Sequence, residues 1–314
     1  MVTNVAIIAR FLRMSSPNQF LLFAKFVSVM KKILFAALTA LALLAGAPAA
    51  SAQATITTRK GKLADFTQKT TRMVLTGDQI FDGVFQEEIG KRWLVSPFEF
   101  ITRDQYEACK NDKNFYFLMP VDSRRKKEAE PGLSVLSLLK GGPEEGAAAE
   151  TGFEILSLPY ASAEDPSGRE FVFLPALLDI IQNYMKDAMI SDASIMNVPG
   201  KACTRMVKTG KMKILLASCD LAEGVKPSAS MAEKGITIVD EDDADEALTS
   251  GASDTLVSYV VAPTDPQQKG SISCNMLISA DTHEIYFCSR RGVKERSKVG
   301  FSAEDIKVMT LGRK

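Results

Sequence analysis

The sequence is poor in the residues that most enzyme chemistry requires. It contains one histidine, one tryptophan and five cysteines among 314 residues. Serine hydrolases need a histidine close to the nucleophile, and the α/β-hydrolase type places its serine in a G-x-S-x-G turn, which does not occur here. The sequence also has no C-x-x-C pair, and His283 is its single histidine, which argues against a cysteine-rich zinc site.

Glycines at the spacing that phosphate-binding loops require are missing as well. Gly77-Asp78 supplies only one glycine of a dinucleotide-binding loop. Gly200-Lys201 lacks the preceding glycine and the following hydroxyl of a P-loop. The acidic run 240–246 has no glycine and no alternating ligand pattern of a calcium loop, so it is typical of a surface helix start, with a weak divalent-ion site as the alternative. We therefore predict no cofactor.

Residues 30–52 have the pattern of a secretory signal peptide. Met30-Lys31-Lys32 is a basic start, residues 33–44 are almost wholly apolar, and small residues lead to a cleavage site after Ala52. The alternative is a membrane anchor, but the apolar run is shorter than the roughly 20 residues that span a bilayer. No cysteine follows it for lipid attachment. We expect an exported chain, periplasmic or secreted, without a stable transmembrane anchor after cleavage.

Residues 1–29 place a second apolar, weakly basic stretch before this signal. We interpret them as an upstream gene-model extension before a start at Met30. The alternative is an unusually long basic region of the signal peptide.

Removal of residues 1–52 makes the chain acidic. The sequence has 38 basic and 38 acidic residues, and five basic residues but no acid lie in this segment, which leaves 33 basic against 38 acidic residues. A mildly acidic chain without a basic stripe argues against nucleic acid as a partner. The remaining 262 of the 314 residues suit one large domain or two small ones.

The segment from Arg72 to Ser123 alternates strands with helices. Apolar strands are predicted at 72–78, 98–101 and 114–120, and helices at 80–93 and 103–110. The first helix has apolar residues at every fourth position, which predicts that it packs against a sheet. Alternation of this kind implies parallel strands with right-handed crossovers. We therefore predict an α/β fold with an N-terminal βαβαβ unit at residues 72–123.

The rest of the chain is predicted to continue this unit into a mixed sheet with antiparallel hairpins at the C-terminal end. A leader arm at 53–71 precedes the unit, and a basic, glycine-rich connection at 124–152 follows it. Residues 153–314 are assigned to the same globular domain. Predicted elements are a strand at 133–139 paired with 153–158, a helix at 171–189, a hairpin around 208–211, a strand at 235–239, a helix at 244–250, a strand at 254–263, a hairpin at 270–290 with its turn at 280–283, and a helix starting at Ser302.

Two patterns leave alternatives open. The basic cluster 124–127 indicates either a solvated loop or contact with an anionic membrane or polymer. Phe98–Pro120 and Ile236–Pro263 share the order strand, acidic helix start, polar turn, strand and proline. This echo indicates either an ancient duplication or two ordinary strand–helix–strand units.

Candidate site residues come from three places. Ligands of open α/β sheets bind outside the carboxyl ends of the strands. There the chain offers Thr76, Gly77, Asp78, Arg103, Asp122, Ser123 and Arg124, with ordinary surface loops as the alternative. Asp281, His283 and Glu284 offer part of a metal ligand set. Cys274 and Cys288 flank one hairpin at similar distances from its turn and form a candidate disulfide, with buried unbridged cysteines as the alternative.

Four segments, Leu75–Asp82, Trp93–Ile101, Asn114–Leu118 and Ala280–Phe287, resemble uncharacterised exported proteins of Bacteroidetes-type bacteria. The resemblance implies export from a diderm bacterium and brings no defined activity.

We predict a non-catalytic binding or structural protein of the cell envelope whose partner is another envelope protein or a polymer. The alternative is an enzyme or small-ligand-binding protein that uses the strand-end loops near Asp78. A third interpretation is a redox function of the cysteines, which requires a reactive thiol.

Overall fold

The computed structural model describes residues 63–125, 127–143, 152–190, 206, 210, 212–266, 270–310 and 313. In this part of the chain, ten strands form two five-stranded sheets together with six α-helices. The first elements are β1 (Thr70–Val74), α1 (Gln79–Arg92), β2 (Phe98–Ile101), α2 (Arg103–Cys109), β3 (Phe115–Ser123), β4 (Leu133–Pro143), β5 (Gly152–Ser162) and α3 (Arg169–Ile190). They are followed by β6 (Lys213–Ala217), α4 (Ala229–Glu233), β7 (Ile236–Val239), α5 (Glu241–Thr249), β8 (Thr255–Val261), β9 (Ile272–Ser279), β10 (Ile285–Gly292) and α6 (Ala303–Thr310).

The first sheet has the strand order β2-β1-β3-β4-β5. β1 pairs in parallel with both β2 and β3, so the chain crosses the sheet through α1 and again through α2. Phe85 of α1 is buried in one cluster with Met73, whereas Tyr106 of α2 packs beside Val74. Because successive strand residues point to opposite faces, the two helices cover opposite sides of the sheet. The predicted N-terminal βαβαβ unit is confirmed.

β4 and β5 extend the first sheet in antiparallel sense. The predicted pairing of 133–139 with 153–158 is confirmed, and both strands are longer than predicted. The leader arm is not loose where the structure describes it. Leu63 and Phe66 are buried, and the Phe66 ring meets the Tyr116 ring edge-on at 4.8 Å between centroids. These contacts make residues 63–69 part of the core.

The second sheet repeats the arrangement of the first, with the strand order β7-β6-β8-β9-β10. β6 pairs in parallel with β7 and β8, and β9 and β10 continue in antiparallel sense. We call β1 to α3 the first unit and β6 to α6 the second unit. The echo between Phe98–Pro120 and Ile236–Pro263 corresponds to β2-α2-β3 and β7-α5-β8, which occupy equivalent places in the two units. The C-terminal hairpin is confirmed.

The hairpin predicted around residues 208–211 is wrong. β6 has β7 on one edge and β8 on the other, so neither edge of β6 is open to a hairpin partner. The turn-like residues 208–211 suggested a local pairing, but the two edges of β6 are taken by strands that come later in the chain. Local sequence does not report that competition.

Two helix starts show how polar residues set the boundaries. α5 begins at Glu241 rather than near residue 244, because its acidic first turn is favoured by the helix dipole. At α6, the Asp305 carboxylate accepts from the Ser302 amide at 2.9 Å, and Ser302 Oγ accepts from the Asp305 amide at 3.4 Å. This is the predicted helix-start box, with aspartate in place of glutamate.

The 22-residue helix α3 lies in the core that the two units share. Phe173, Leu174, Leu177 and Ile181 are fully buried there. A helix that is apolar on most sides is one that is surrounded by protein. The helix predicted at 171–189 is confirmed, but Pro175 is the seventh residue of the observed helix rather than a first-turn residue.

The two units turn opposite faces toward this core. In the first unit the helix that packs on α3 is the first crossover, α1. In the second unit it is the second crossover, α5. The outer face of the second sheet is covered by α4 and α6 through Met231, Ile306 and Met309. The Tyr259 hydroxyl at the end of β8 donates to the Tyr160 carbonyl of β5, so the carboxyl ends of β5 and β8 meet.

Some predictions concern residues outside the described part of the chain: the extension 1–29, the signal peptide 30–52, the first ten residues of the leader arm, the loop residues 144–151, and Cys203. Within the described residues, no helix is both long enough and apolar enough to cross a membrane.

Candidate functional site

The loop after β1 uses its polar atoms to start α1. Asp78 Oδ1 accepts from the amides of Ile80 and Phe81 at 2.9 and 3.1 Å, which is helix capping. The Asp82 carboxylate accepts from the amides of Thr76 and Gly77 at 2.8 Å each. Gly77 adopts φ +94°, which glycine tolerates best. The predicted ligand residues Thr76, Gly77 and Asp78 are thus engaged with their own loop.

The exit of β3 is engaged in a similar way. Asp122 Oδ1 accepts from the Ser134 hydroxyl at 2.7 Å across the β3–β4 pair. Ser123 is buried, and the Arg124 guanidinium donates to the Ala129 carbonyl at 3.2 Å. These residues fold the β3–β4 connection back on itself.

The structure brings only part of the predicted set together. Burial raises the pKa of the Tyr160 hydroxyl, and the negative charges of Asp122, Glu170 and Asp78 raise it further, while a hydrogen bond with Ser134 opposes them. Arg103 begins α2 on the other side of the sheet and donates to the Pro120 carbonyl at 3.4 Å. An acid–base pair of Arg103 with Asp78 is therefore not formed.

A polar cleft of about 830 Å³ opens at the equivalent edge of the second sheet. Its walls come from the ends of β5 and β8, the turn after β6, the start of α5 and the loop before α6, and they include Ser162, Asp165, Ser167, Cys219, Glu223, Glu241, Tyr259, Thr264, Arg296 and Ser297. This is where open α/β sheets bind ligands. Its volume falls within the roughly 300–1,000 Å³ that is typical of small-ligand sites.

Arg169 forms the floor of this cleft. The guanidinium of this first residue of α3 is 6% exposed. Its Nη2 donates to Asp245 at 2.6 Å, its Nη1 to Asp220 at 3.1 Å, and its Nε to Asp245 at 3.1 Å. The remaining contacts run from Nη1 to Cys219 Sγ at 3.7 Å and from Nη2 to the Ser258 carbonyl at 3.4 Å. All five guanidinium donors therefore have protein partners, and Arg169 ties α3 to β8, α5 and the turn after β6.

Asp220 is the buried carboxylate of this network. Its Oδ1 accepts from Arg169 and its Oδ2 from the Ser258 hydroxyl at 2.6 Å, and Ser258 Oγ accepts in turn from the Ala217 amide at 2.8 Å. Burial raises the pKa of Asp220, and the charge of Arg169 opposes that rise. A carboxylate whose two oxygens are both hydrogen-bonded inside the protein is suited to holding the strand ends in place.

Cys219 lines the cleft as an exposed residue whose sulfur is partly buried beside Arg169. Burial of the sulfur and the neighbouring Asp220 and Glu241 carboxylates raise the pKa of this thiol to about 12, and Arg169 opposes them. Because the thiolate is the nucleophilic form, Cys219 is poorly suited to covalent catalysis at neutral pH.

The rim of the cleft is acidic. Asp165, Glu223 and Glu241 lie around its mouth, and Arg296 is the cation of the rim, with its guanidinium donating to the Thr264 carbonyl at 3.1 Å. Glu241 lies 4.0 Å from Arg169, whose charge is already shared with Asp220 and Asp245. The exposed carboxylates outnumber the cations, so the mouth favours a positively charged group.

His283 has a structural partner that the sequence pattern did not suggest. It lies in the β9–β10 turn with φ +54°, and its Nδ1 is 2.7 Å from Asp179 Oδ2 of α3. This contact ties the β9–β10 turn to α3. Asp281 accepts from Ser279 Oγ instead of joining His283 and Glu284. Among the described residues, no group of three metal-ligating side chains could hold an ion.

The cleft could not be predicted from local sequence, because its walls come from five separate segments of the chain. Ser167-Gly168-Arg169-Glu170 has the composition of a polar loop, and nothing local shows that Arg169 turns inward. One signal was available: the strand-end argument that selected Thr76–Asp78 in the first unit, when applied to the echoed second unit, selects Ser218–Asp220 and Asp240-Glu241.

Comparisons of the chain with protein-family models, with curated proteins and with solved structures find no match. The function is therefore argued from the geometry of the cleft.

Proposed function

We propose that this is an exported, non-catalytic binding protein of the cell envelope, and that it holds a positively charged group of its partner in the cleft at the carboxyl ends of β6 and β8. The partner class is a protein or polymer that offers an amine or a guanidinium. The observation that carries the proposal is the position of the cleft at the strand ends together with its acidic rim of Asp165, Glu223 and Glu241.

The chemistry inside the cleft supports binding over catalysis. Catalytic acids, bases and nucleophiles need an available group with a suitable pKa. Arg169 and Asp220 are occupied by each other and by Asp245 and Ser258, and the raised pKa of Cys219 keeps that thiol protonated. The rim carboxylates of Asp165 and Glu223 are exposed and can meet a cation, whereas Glu241 is half-buried and lies 4.0 Å from Arg169. Contacts between exposed charges are weakened by salt.

The competing interpretation places a ligand or an enzyme site near Asp78. Its support is weaker, because Asp78 caps α1 and Arg103 points to the Pro120 carbonyl. The following titration distinguishes a site near Asp78 from the proposed cleft.

The test is a calorimetric titration of the purified protein with spermidine and with short lysine- and arginine-containing peptides at low and physiological salt. We expect saturable binding that weakens with salt, and that weakens further in Glu241→Gln and Glu223→Gln. Glu246→Gln is the matched control, because Glu246 is exposed on the same helix as Glu241 and does not line the cleft. Binding that is lost in Asp78→Asn but not in Glu241→Gln would favour the competing site, and no binding at low salt would overturn the proposed ligand class.

A further inference from the structure

Two cysteines lie side by side within the second sheet. β9 and β10 are antiparallel, with Cys274 opposite Arg290 and Cys288 opposite Met276. Because residues two apart on a strand share a face, Cys288 is the diagonal neighbour of Cys274 on the same face of the sheet. Both are thiols in the structure and both are buried, at 1% and 6% exposure. The Cys288 thiol is close enough to Cys274 to lower the pKa of the Cys274 thiol.

Arg290 supplies a positive charge to this pair. It lies directly across from Cys274, on the same face. Within the described part of the chain, its Nε and Nη2 are buried without a hydrogen-bond partner of good geometry. Buried donors that lack an acceptor are costly, and a thiolate at Cys274 is an acceptor of matching charge. The hydrogen bond from Cys288 lowers the pKa of the Cys274 thiol, burial opposes this, and Arg290 lowers the pKa further.

We propose that Cys274 and Cys288 are a thiol–disulfide couple, in which Arg290 activates Cys274 and oxidation links β9 to β10. The reaction partner is a small-molecule disulfide such as oxidised glutathione. The Cys274 thiolate attacks one sulfur of this disulfide, forms a mixed disulfide and releases one thiolate. The Cys288 sulfur, after losing its proton, attacks Cys274 and releases the second thiolate. The two cysteines thus give up two protons and two electrons, and the small disulfide becomes two thiols.

Access to the buried pair comes from the edge of the sheet. β10 pairs only with β9 in the described structure, so it is the outer strand of the second sheet. The register of the pair is irregular between Ile285 and Phe287, close to Cys288. Outer strands open locally at lower free energy than whole domains unfold. Among the residues that the structure describes, the other two cysteines lie elsewhere: Cys109 belongs to α2 and Cys219 to the cleft. This couple therefore does not depend on the proposed binding function.

The test equilibrates the purified protein in glutathione redox buffers, blocks the remaining thiols with N-ethylmaleimide in denaturant, and maps the linked peptides by mass spectrometry. We expect a two-hydrogen mass loss and a peptide that joins Cys274 to Cys288. The linked peptide should persist in Cys219→Ser, the control at an exposed thiol. Cys288→Ser should stop at the mixed disulfide with one glutathione attached.

A second readout tests Arg290. In Arg290→Gln the pH profile of the oxidation rate should move to higher pH. At a fixed pH below the thiol pKa the rate should fall about threefold to fourfold for each pKa unit, because the loss of thiolate is partly offset by the greater nucleophilicity of the more basic thiolate. A merely structural arginine would leave that profile in place. If all five cysteines stay alkylatable in oxidising buffer, or if the linked peptide joins another pair, the proposal is overturned. Because the peptide map uses the wild-type protein, a variant that fails to fold does not affect this outcome.

Discussion

The two units share one pattern of strands and helices but differ at the connection that follows their central strand. In the first unit β1 leads directly into the 14-residue helix α1. In the second unit β6 leads into a 3₁₀ turn at Ser218–Asp220, an irregular segment and the five-residue helix α4. The shared pattern, with the echo in equivalent positions, supports the duplication interpretation over two unrelated strand–helix–strand units.

The difference explains why one unit has an open cleft. After β1, the Asp82 carboxylate draws the amides of Thr76 and Gly77 over the strand end and closes it. After β6, the Asp220 carboxylate instead accepts a hydrogen bond from Arg169. The backbone carbonyl of Asp220 accepts from the Phe301 amide at 2.8 Å. In the first unit the polar groups at the strand end form hydrogen bonds that start a helix. In the second unit the strand end stays open to the cleft. The following substitutions test this difference between the two units.

The largest effect is expected for Arg169→Met. The substitution leaves Asp220 and Asp245 without their cation in a buried place, which typically costs about 3–5 kcal/mol. Urea unfolding followed by circular dichroism measures the loss. Arg296→Met is the control, because Arg296 is exposed and its guanidinium contacts only the Thr264 carbonyl. Equal stability of the two variants would contradict the role of Arg169 as the tie between α3 and the second unit.

Two glycines with the same backbone conformation give the next contrast. Gly300 and Gly77 have φ of +93° and +94°. A Cβ at Gly300 would lie 2.4 Å from the Asp220 carbonyl oxygen, whereas at Gly77 nothing lies within 4 Å. Gly77→Ala should cost only the left-handed strain of about 1–2 kcal/mol, and Gly300→Ala should add about 1–3 kcal/mol of overpacking. Thermal unfolding of both variants in parallel measures the two losses of stability. A loss in Gly300→Ala no larger than that in Gly77→Ala would contradict this prediction.

Side-chain capping should matter at the start of α1 and much less at the start of α5. Asp78 accepts two amide hydrogen bonds at the start of α1, so Asp78→Ala should cost about 1 kcal/mol. Asp240 occupies the same position before α5 but makes no side-chain capping hydrogen bond. Asp240→Ala should therefore change stability by at most a few tenths of a kcal/mol. Matching losses in chemical denaturation would contradict this difference in capping between α1 and α5.

The smallest expected effect is a pH dependence that arises at Asp65, in the segment just before β1. Asp65 is partly buried, which raises its pKa, but hydrogen bonds from Lys69, Tyr116 and Lys140 outweigh this and hold the pKa well below its usual value. A depressed folded pKa adds stability above the unfolded value of about 3.9, and this stability is lost as the pH falls toward the folded value. Asp65→Asn should lose less stability than the wild type between about pH 5 and pH 3. Urea midpoints across that range measure the difference, and parallel curves would contradict it.

The sequence predicted what local pattern can specify. The fourfold spacing of Phe81, Phe85 and Ile89 located α1, and the Ser302–Asp305 box located the start of α6. It could not predict which strands compete for the edges of β6, nor that Arg169 turns inward to meet Asp220. Those facts depend on contacts between residues far apart in the chain. In the second unit the strand-end rule leads to the polar cleft, but it was applied to the first unit, where Asp78 caps the helix that follows the strand.

The most direct test of the account is a map of backbone amide chemical shifts while spermidine is added to the isotope-labelled protein. The account predicts saturable changes at Cys219–Glu223, at Glu241 and around Thr264, with residues 76–78 unchanged. Changes confined to residues 76–78 and 122–124, or no saturable change at low salt, would contradict it.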